Sequence, residues 1–343
     1  MKSKYKDNRW GTSIKKMPWD DKKEKSSVEK LISSTMKEWY DAKHRIASNE
    51  EIEFINSITP LACHHCMSKA FIKYGKLENG IIRYKCKECN KTFNNLTNTI
   101  FDSHKIPISE WFEYLLHLFE FHSIKSSSRD NKNANSTGKY WLIKVFEVLK
   151  NYQKKIVLSG DVVYDETFFN VVKSKKILKD GKGYRWNGNS ICIAVGYDGF
   201  RTVILSQNTS KPSSKSTFET MWKHIEPYSK FIHDGDASHI KLIKFLDLRD
   251  RFCKGAYAKL LPDDQNPLTP INNIHSFIKK FMRNHEGFSR ENIQDWMNLI
   301  SFILNEPQNR YEKLKLFIKM AISSPKRVKY RDVMGKKPST GAE

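Results

Sequence analysis

Four of the six cysteines fall as Cys63-x2-Cys66 and Cys86-x2-Cys89, with nineteen residues between the pairs. No other feature constrains the chain as tightly. Two such pairs can bring four thiolates to the corners of a tetrahedron around Zn2+, in the ligand spacing of a structural zinc site. Between them, Phe71-Ile72-Lys73-Tyr74 and Ile81-Ile82-Arg83-Tyr84 alternate like strands around Leu77-Glu78-Asn79-Gly80, whose Asn-Gly is a hairpin turn signal. The pattern predicts a zinc ribbon over residues 59–104. Four protein ligands leave no open position, so the metal is expected to be structural rather than catalytic. His64 and His65 are alternative ligands inside the first pair, and two disulfides are the competing use of the same cysteines. The charged start MKSKYKDNRWG lacks a following apolar stretch, so no secretory signal is expected; that argues against disulfides and for a cytoplasmic, nucleoid-associated protein.

The chain before the ribbon reads as a flexible basic arm and a helical lead-in over residues 1–58, with Val28, Leu31, Ile32, Met36 and Trp39 near helical spacing behind Ser26 or Ser27. After the ribbon, residues 105–154 read as a helical DNA-binding segment. Pro107-Ile108-Ser109 opens a helix bearing Trp111, Phe112, Leu115, Leu116, Leu118 and Phe119. A polar stretch from Ser123 to Gly138 leads to a second helix with Trp141, Leu142, Val145, Phe146 and Leu149. Two helices across such a stretch, with room for a short one inside it, suit either a helix-turn-helix or a plain helical bracket.

Residues 155–290 alternate in another order. Strands are expected at Val162 to Asp165, Ile191 to Val195 and Thr202 to Leu205, then a helix from Phe218 to Ile225 and a strand ending at Phe231-Ile232-His233-Asp234. A helix from Ser238 to Leu246, a short strand around Phe252-Cys253 and a helix starting near Asn272 complete the order β-β-β-α-β-α-β-α, that of an RNase H-like α/β domain with a mixed sheet flanked by helices. Residues 291–343 are left as C-terminal helices and a tail. Asp165 and Asp234 are expected at the C-terminal ends of two strands, where open α/β sheets place ligand chemistry. Two carboxylates converging there can hold a pair of Mg2+ or Mn2+ ions that activate the attacking oxygen and stabilise the leaving oxygen of a phosphodiester. On the last helix Ile274, Phe277, Ile278 and Phe281 form the packing face, and Asn272, His275 and Lys279 form an outward polar stripe. That stripe offers His275 or Asn272 as a third metal ligand and Lys279 to a phosphate. His233 and His239 are candidates for supporting groups behind Asp234.

The charge balance names the partner class. Lys and Arg number 60 against 38 Asp and Glu, a net +22, and residues 1–62 hold only +3 of it. An excess of that size spread through the folded body favours a polyanion, with DNA or RNA first, because each neutralised phosphate releases condensed counterions. No run approaches the roughly 18 consecutive apolar residues of a spanning helix.

Taken together these residues resemble the zinc-ribbon DDE transposases of bacterial insertion sequences, specifically the IS fifteen-ninety-five group with its ISXO-two-like transposase domain. The resemblance rests on Cys63-His64-His65-Cys66, on Tyr84 to Phe93 with its second cysteine pair, and on Thr99-Ile100-Phe101 before a helix. It continues through Asp165-Glu166-Thr167-Phe168-Phe169, Asp234-Gly235-Asp236 with His239, and Asn272-Asn273-Ile274-His275-Ser276 with Lys279, and covers about residues 50–305. It implies metal-dependent cleavage at transposon inverted-repeat ends, strand transfer of the 3′-hydroxyl into target DNA, and a homodimer or larger assembly on double-stranded DNA. Asp165 and Asp234 would be the first two acids. His275 stands where the third acid is expected, with Glu286 as another candidate; relatives in the group also vary at this point. A neutral nitrogen ligand lowers the site's negative charge and suits Mn2+ better than a third carboxylate.

Overall fold

The computed structural model describes residues 51–102, 108–131, 133–177, 184–208, 211–258, 260–285 and 292–334. Of the arm and helical lead-in expected over residues 1–58, residues 1–50 lie outside them, as does Glu286. The chain divides into two compact units: the first holds the residues up to Lys144 and those from Leu314 onward, the second runs from Val145 to Lys313. Among the described residues no helix is long and apolar enough to cross a membrane.

In the first unit a helix over residues 51–57 (α1) leads into a three-stranded antiparallel sheet of β1 (Phe71–Lys76), β2 (Ile82–Cys86) and β3 (Thr92–Phe93), in that order. The hairpin expected between the cysteine pairs forms as read, Lys76 opposite Ile82, with Gly80 at φ +82° taking the left-handed turn position that its missing Cβ permits. Phe71, Tyr84 and Phe93 pack ring against ring beside Cys63 and Cys86, a core small enough to need a further constraint. Asn95 closes the ribbon onto α1 by donating to the carbonyls of Ile55 and Ile58.

Three helices follow, the middle one being the short helix for which the polar stretch left room: α2 (Ile108–Phe119), α3 (Ile124–Asp130) and α4 (Asn135–Leu149). The polar stretch from Ser123 to Gly138 is therefore mostly helical. Its hydroxyls satisfy themselves locally: Ser123 caps α3, and Ser127 and Ser128 donate back to the carbonyls of Ser123 and Ile124. With no long side chain between them, α3 and α4 come together at Gly138, where an added Cβ would lie 2.0 Å from Ser128 Oγ. Trp111 stacks on Trp141 at 4.3 Å, and Tyr114 donates its hydroxyl to the Gly138 carbonyl. The chain returns to this unit at its C-terminal end, where α11 (Tyr330–Met334) brings Tyr330 edge-on to Tyr140.

The second unit is built on a five-stranded sheet in the order β6-β5-β4-β7-β8. β4 (Asp161–Ile177), β5 (Tyr184–Tyr197) and β6 (Thr202–Asn208) form an antiparallel meander, and β7 (Lys230–His233) and β8 (Arg249–Phe252) add to β4 in parallel. The parallel connections run through α5 (Ser214–Met221) and α6 (Ile240–Phe245); then come the short α7 (Gly255–Ala258), α8 (Thr269–Asn284) and α9 (Ile293–Leu304), and α10 (Arg310–Ser323) begins here but belongs from Leu314 to the first unit. From β4 to α8 the succession is the one the sequence pattern predicts, with α7 added. Val162, Tyr164, Ala194, Val203 and Phe231 pack on one side of the sheet against Met221 and Leu242 of α5 and α6, while α8 lies against β4 and β5 and α9 against β6. The outer edge of β6 is closed by side-chain amides. Gln153, Gln294 and Asn305 accept from the backbone N–H groups of Ile204, Ser206 and Thr202, so this edge offers no free ladder to another chain.

Candidate active site

The two cysteine pairs are conformationally equivalent. In each, the first cysteine's N–H donates to the carbonyl five residues on (Ser68, Lys91), and the residue four on (Met67, Asn90) takes positive φ to turn the chain back. The result gathers Cys63, Cys66, Cys86 and Cys89, with Sγ atoms 3.7 Å apart for Cys63–Cys89 and 3.6 Å for Cys66–Cys86. A tetrahedral zinc with Zn–S bonds of about 2.3 Å has sulfur–sulfur edges of roughly 3.8 Å, so the four thiols fit that ion. Without an ion the four thiols share their protons unevenly: backbone N–H groups of Cys89 and Glu88 hold Cys86 down at about 7, burial pushes Cys63 up, and, against the Ser68 N–H, burial with the neighbouring thiols pushes Cys66 up to about 12. His64 and His65 are engaged elsewhere, by the carbonyls of Thr97 and Thr92.

In the second unit the parallel pairing of β4 with β7 ends at Val163 opposite Ile232. Asp165 stands two residues beyond that pair on β4, and Asp234 two residues beyond it on the other chain, so both carboxylates emerge where the two strands part. The expectation that Asp165 ends its strand needs correction. β4 runs on for twelve more residues to Ile177, because β5 continues to pair with it after β7 has stopped. Strand alternation separates Asp165 from its neighbours: Tyr164 and Glu166 face the α5–α6 side, and Asp165 faces α8.

There it meets His275, whose Nδ1 is 3.8 Å from Asp165 Oδ2. The outward stripe expected for α8 is thus wrong at this residue. At about 100° per residue His275 falls about 20° from Met282 and about 40° from both Ile271 and Lys279, on the rim of the apolar arc, and it is buried with Ile271, Ile274, Ile278, Phe281 and Met282. Asn272 and Lys279 are exposed. Burial, then the charge of Lys279, pushes the His275 imidazole down to about 4, so it is neutral near pH 7, and its Nε2 is buried without a hydrogen-bond partner. Burial also raises the Asp165 carboxyl to about 7, helped by the charges of Asp234 and Glu166, although the Glu166 N–H donates to its Oδ1. Asp165, Asp234 and His275 are residue types that ligate divalent cations, but their ligand atoms do not gather within 4.8 Å of one another; the group that does so at this point is His233, Asp234 and His239.

Behind Asp234 lies a relay that is buried at His233 and His239 and opens to solvent at Asp250; the sequence predicts its two histidines as supporting groups but not its carboxylates. Asp250 bonds His233 Nε2 at 2.9 Å, the Nδ1 atoms of His233 and His239 are 2.7 Å apart, and His239 Nε2 is 3.1 Å from Glu166 Oε2. Gly235 N–H donates to His233 Nδ1. That nitrogen therefore accepts, so His239 donates from Nδ1, and a further proton held between its Nε2 and the Glu166 carboxyl completes the chain. Burial lowers the His239 pKa, but the hydrogen bond and charge of Glu166, with Asp234 and Asp236, outweigh it and hold the group above its ordinary value. Glu166 also accepts from the Tyr164 hydroxyl. Its position beside Asp165 was the available signal, since the alternate face of a strand carrying a site residue is where that residue's support sits.

No protein-family model matches the sequence. Over 50 residues, 15% of this chain, it is 36% identical to an uncharacterized protein in transposable element ISH50 of Halobacterium salinarum. Part of this chain is similar to a protein of a mobile element. The match spans 17% of that protein's length. Among solved structures, the chain is similar to Mos1 transposase in its paired-end complex with the left transposon end, at 12% identity and a TM-score of 0.22, over 63% of this chain and 81% of that one.

Proposed function

We propose that this chain is a DNA transposase of the DDE type on an RNase H-like sheet, related to the IS fifteen-ninety-five group. The observation that carries the reading is the convergence of Asp165 and Asp234 where β4 and β7 part, with His275 Nδ1 3.8 Å from Asp165. Strand order and direction support it, three antiparallel strands continued by two parallel ones, as does the basic excess of the chain.

Asp165, Asp234 and His275 would hold Mg2+ or Mn2+, which when bound supplies Lewis-acid activation of a water or hydroxyl and charge stabilisation of the leaving oxygen. His275 is neutral and keeps its lone pair, and the pair of carboxylates carries the negative charge. Lys279, exposed one turn along α8, would meet a phosphate. Water attacks phosphorus at the transposon end and the 3′-oxygen leaves as a hydroxyl; that hydroxyl then attacks a target phosphodiester and displaces its 3′-oxygen. His239, fixed between His233 and Glu166, would hold the turn that carries Asp234. The ribbon would place its lysines on phosphates, and α3 and α4, joined across residues 131–134, would act as a helix-turn-helix. Holding two DNA ends together calls for a dimer or larger assembly on DNA, inside the cell.

The test is cleavage of DNA carrying the element's inverted repeats in Mg2+ or Mn2+. Asp165→Asn and Asp234→Asn are each expected to lower the rate by at least about a thousandfold, an electrostatic and metal-binding loss of several kcal/mol. Full-rate cleavage by either variant would refute the proposal. A second reading, a transposase-derived DNA-binding protein without catalysis, is favoured by His275 in the place of an acid, and any strand-transfer product from the purified protein excludes it.

A further inference from the structure

Next to Asp234 the sheet edge opens into a cavity of about 530 Å³, whose walls include Arg251, Phe252, Lys254, Tyr257, Gln265 and Pro267. It is joined to the carboxylate site through backbone. Phe252 is paired with His233 across β7 and β8, and Cys253 N–H donates to the His233 carbonyl at 2.7 Å. The Phe252 ring lies over the turn that follows Asp234: a Cβ built on Gly235 would be 3.4 Å from Phe252 Cδ2. Phe252 and Tyr257 are 59% and 60% exposed, beside the exposed cations Arg251 and Lys254.

Two accessible aromatic rings in one cavity with two cations fit a nucleotide, whose base stacks on the rings while the cations take the adjoining phosphates. A paired base in duplex DNA cannot present its faces to side chains. The occupant has to be a base already out of the stack, at a strand end or extruded from it. We infer that this cavity takes an unpaired DNA base beside the phosphodiester processed at Asp165 and Asp234. The inference rests on the transposase reading and adds a substrate feature to it: the strand end is gripped by one displaced base, which fixes the register of the scissile phosphate.

The experiment uses the full zinc-loaded chain without Mg2+ or Mn2+, so that no cleavage enters. Two duplexes of the same sequence are compared, one blunt and one ending in a three-nucleotide single-stranded 3′ overhang that carries 2-aminopurine. The overhang duplex is expected to bind about tenfold more tightly than the blunt one, with quenching of the 2-aminopurine by ring stacking. Phe252→Ala and Tyr257→Ala, singly and together, are expected to remove the preference and the quenching while blunt-duplex affinity stays within about twofold. Arg251→Ala/Lys254→Ala lowers overhang affinity and leaves partial quenching. Equal binding of the two duplexes by the unaltered protein overturns the inference, and so does a preference that survives in either single variant. Asp165→Asn/Asp234→Asn is expected to keep the preference. A protein that shows this preference but never cleaves in metal loses the transposase reading alone.

Discussion

Asp165 illustrates how a single side chain can be poor for stability and suited to a site. Folding raises its carboxyl from an ordinary 3.8 to about 7, chiefly through burial. Between those values the folded state binds more protons than the unfolded one, so this group's contribution to stability falls as pH rises from about 4 to about 7 and levels off above. Asp165→Asn removes the buried charge. Without divalent metal, the variant is expected to be more stable than the unaltered chain at pH 8, on the order of a few kcal/mol before allowance for solvent at the partly exposed carboxylate, with the gap shrinking towards pH 5. Urea midpoints at the two pH values check the sign, and equal stability at pH 8 would show that the carboxylate is solvated after all. Saturating Mn2+ should erase the difference, because an ion bound only by the folded unaltered site stabilises it by mass action.

Among the elements, α3 and α4 show what a linear reading can and cannot reach. Gly138 is the only residue that lets α4 lie on Ser128, so Gly138→Ala gains helix propensity of about 1 kcal/mol and loses more to the clash, for a net cost of about 1–2 kcal/mol. Adding Ser128→Ala removes the Oγ that the new methyl meets, and the double variant is expected to recover most of the loss in thermal melts; a double variant no better than the single one would place the strain elsewhere. The cysteine ribbon was legible because metal ligands and hairpin turns write their spacing into the chain, and the sheet because β-branched alternation does the same. Chelation should accordingly unfold residues 60–95 and leave the second unit intact, read by hydrogen exchange, since zinc contributes folding energy where its ligands are. What escaped the sequence were groups whose burial depends on a partner far away in it. Ser127 and Ser128 look like loop, Gln153 and Asn305 look like surface though they close the edge of β6, and His275 looks outward because its histidine is polar, although its angle on α8 belongs to the rim of the apolar arc. Glu166 carries no role in the linear text, although it stands in the motif beside Asp165, because nothing there says that His239 lies across the sheet.

For the molecule as a whole, the division into units redistributes the charge. The second unit, residues 145–313, has 26 Lys and Arg against 19 Asp and Glu, a net +7 of the chain's +22, which leaves +15 to the unit holding the ribbon, α2 to α4 and the C-terminal return. The carboxylate site thus lies in the less basic unit, and the bulk of the phosphate-binding charge sits with the other. On the proposed function, association with DNA would owe its salt dependence mainly to the first unit, while the second would contribute chemistry at one phosphate. On the ribbon, Arg83 and Lys85 lie within about 5 Å of the half-exposed Tyr74 ring, a cationic surface on β1 and β2 with Lys73 alongside. For a duplex, log K falls with log salt by roughly 0.9 per phosphate neutralised, so Lys73→Ala/Arg83→Ala/Lys85→Ala should flatten the slope by about 2 to 3 if these three side chains lie on phosphates. Asp165→Asn/Asp234→Asn, measured without divalent metal, should leave the slope within about 0.5 of the unaltered chain, because no phosphate contact is removed. Fluorescence anisotropy on one duplex between roughly 50 and 200 mM salt gives both slopes. An unchanged slope in the ribbon variant would mean that the ribbon is a folded bracket lying off the DNA, and that the +15 acts through the helices instead.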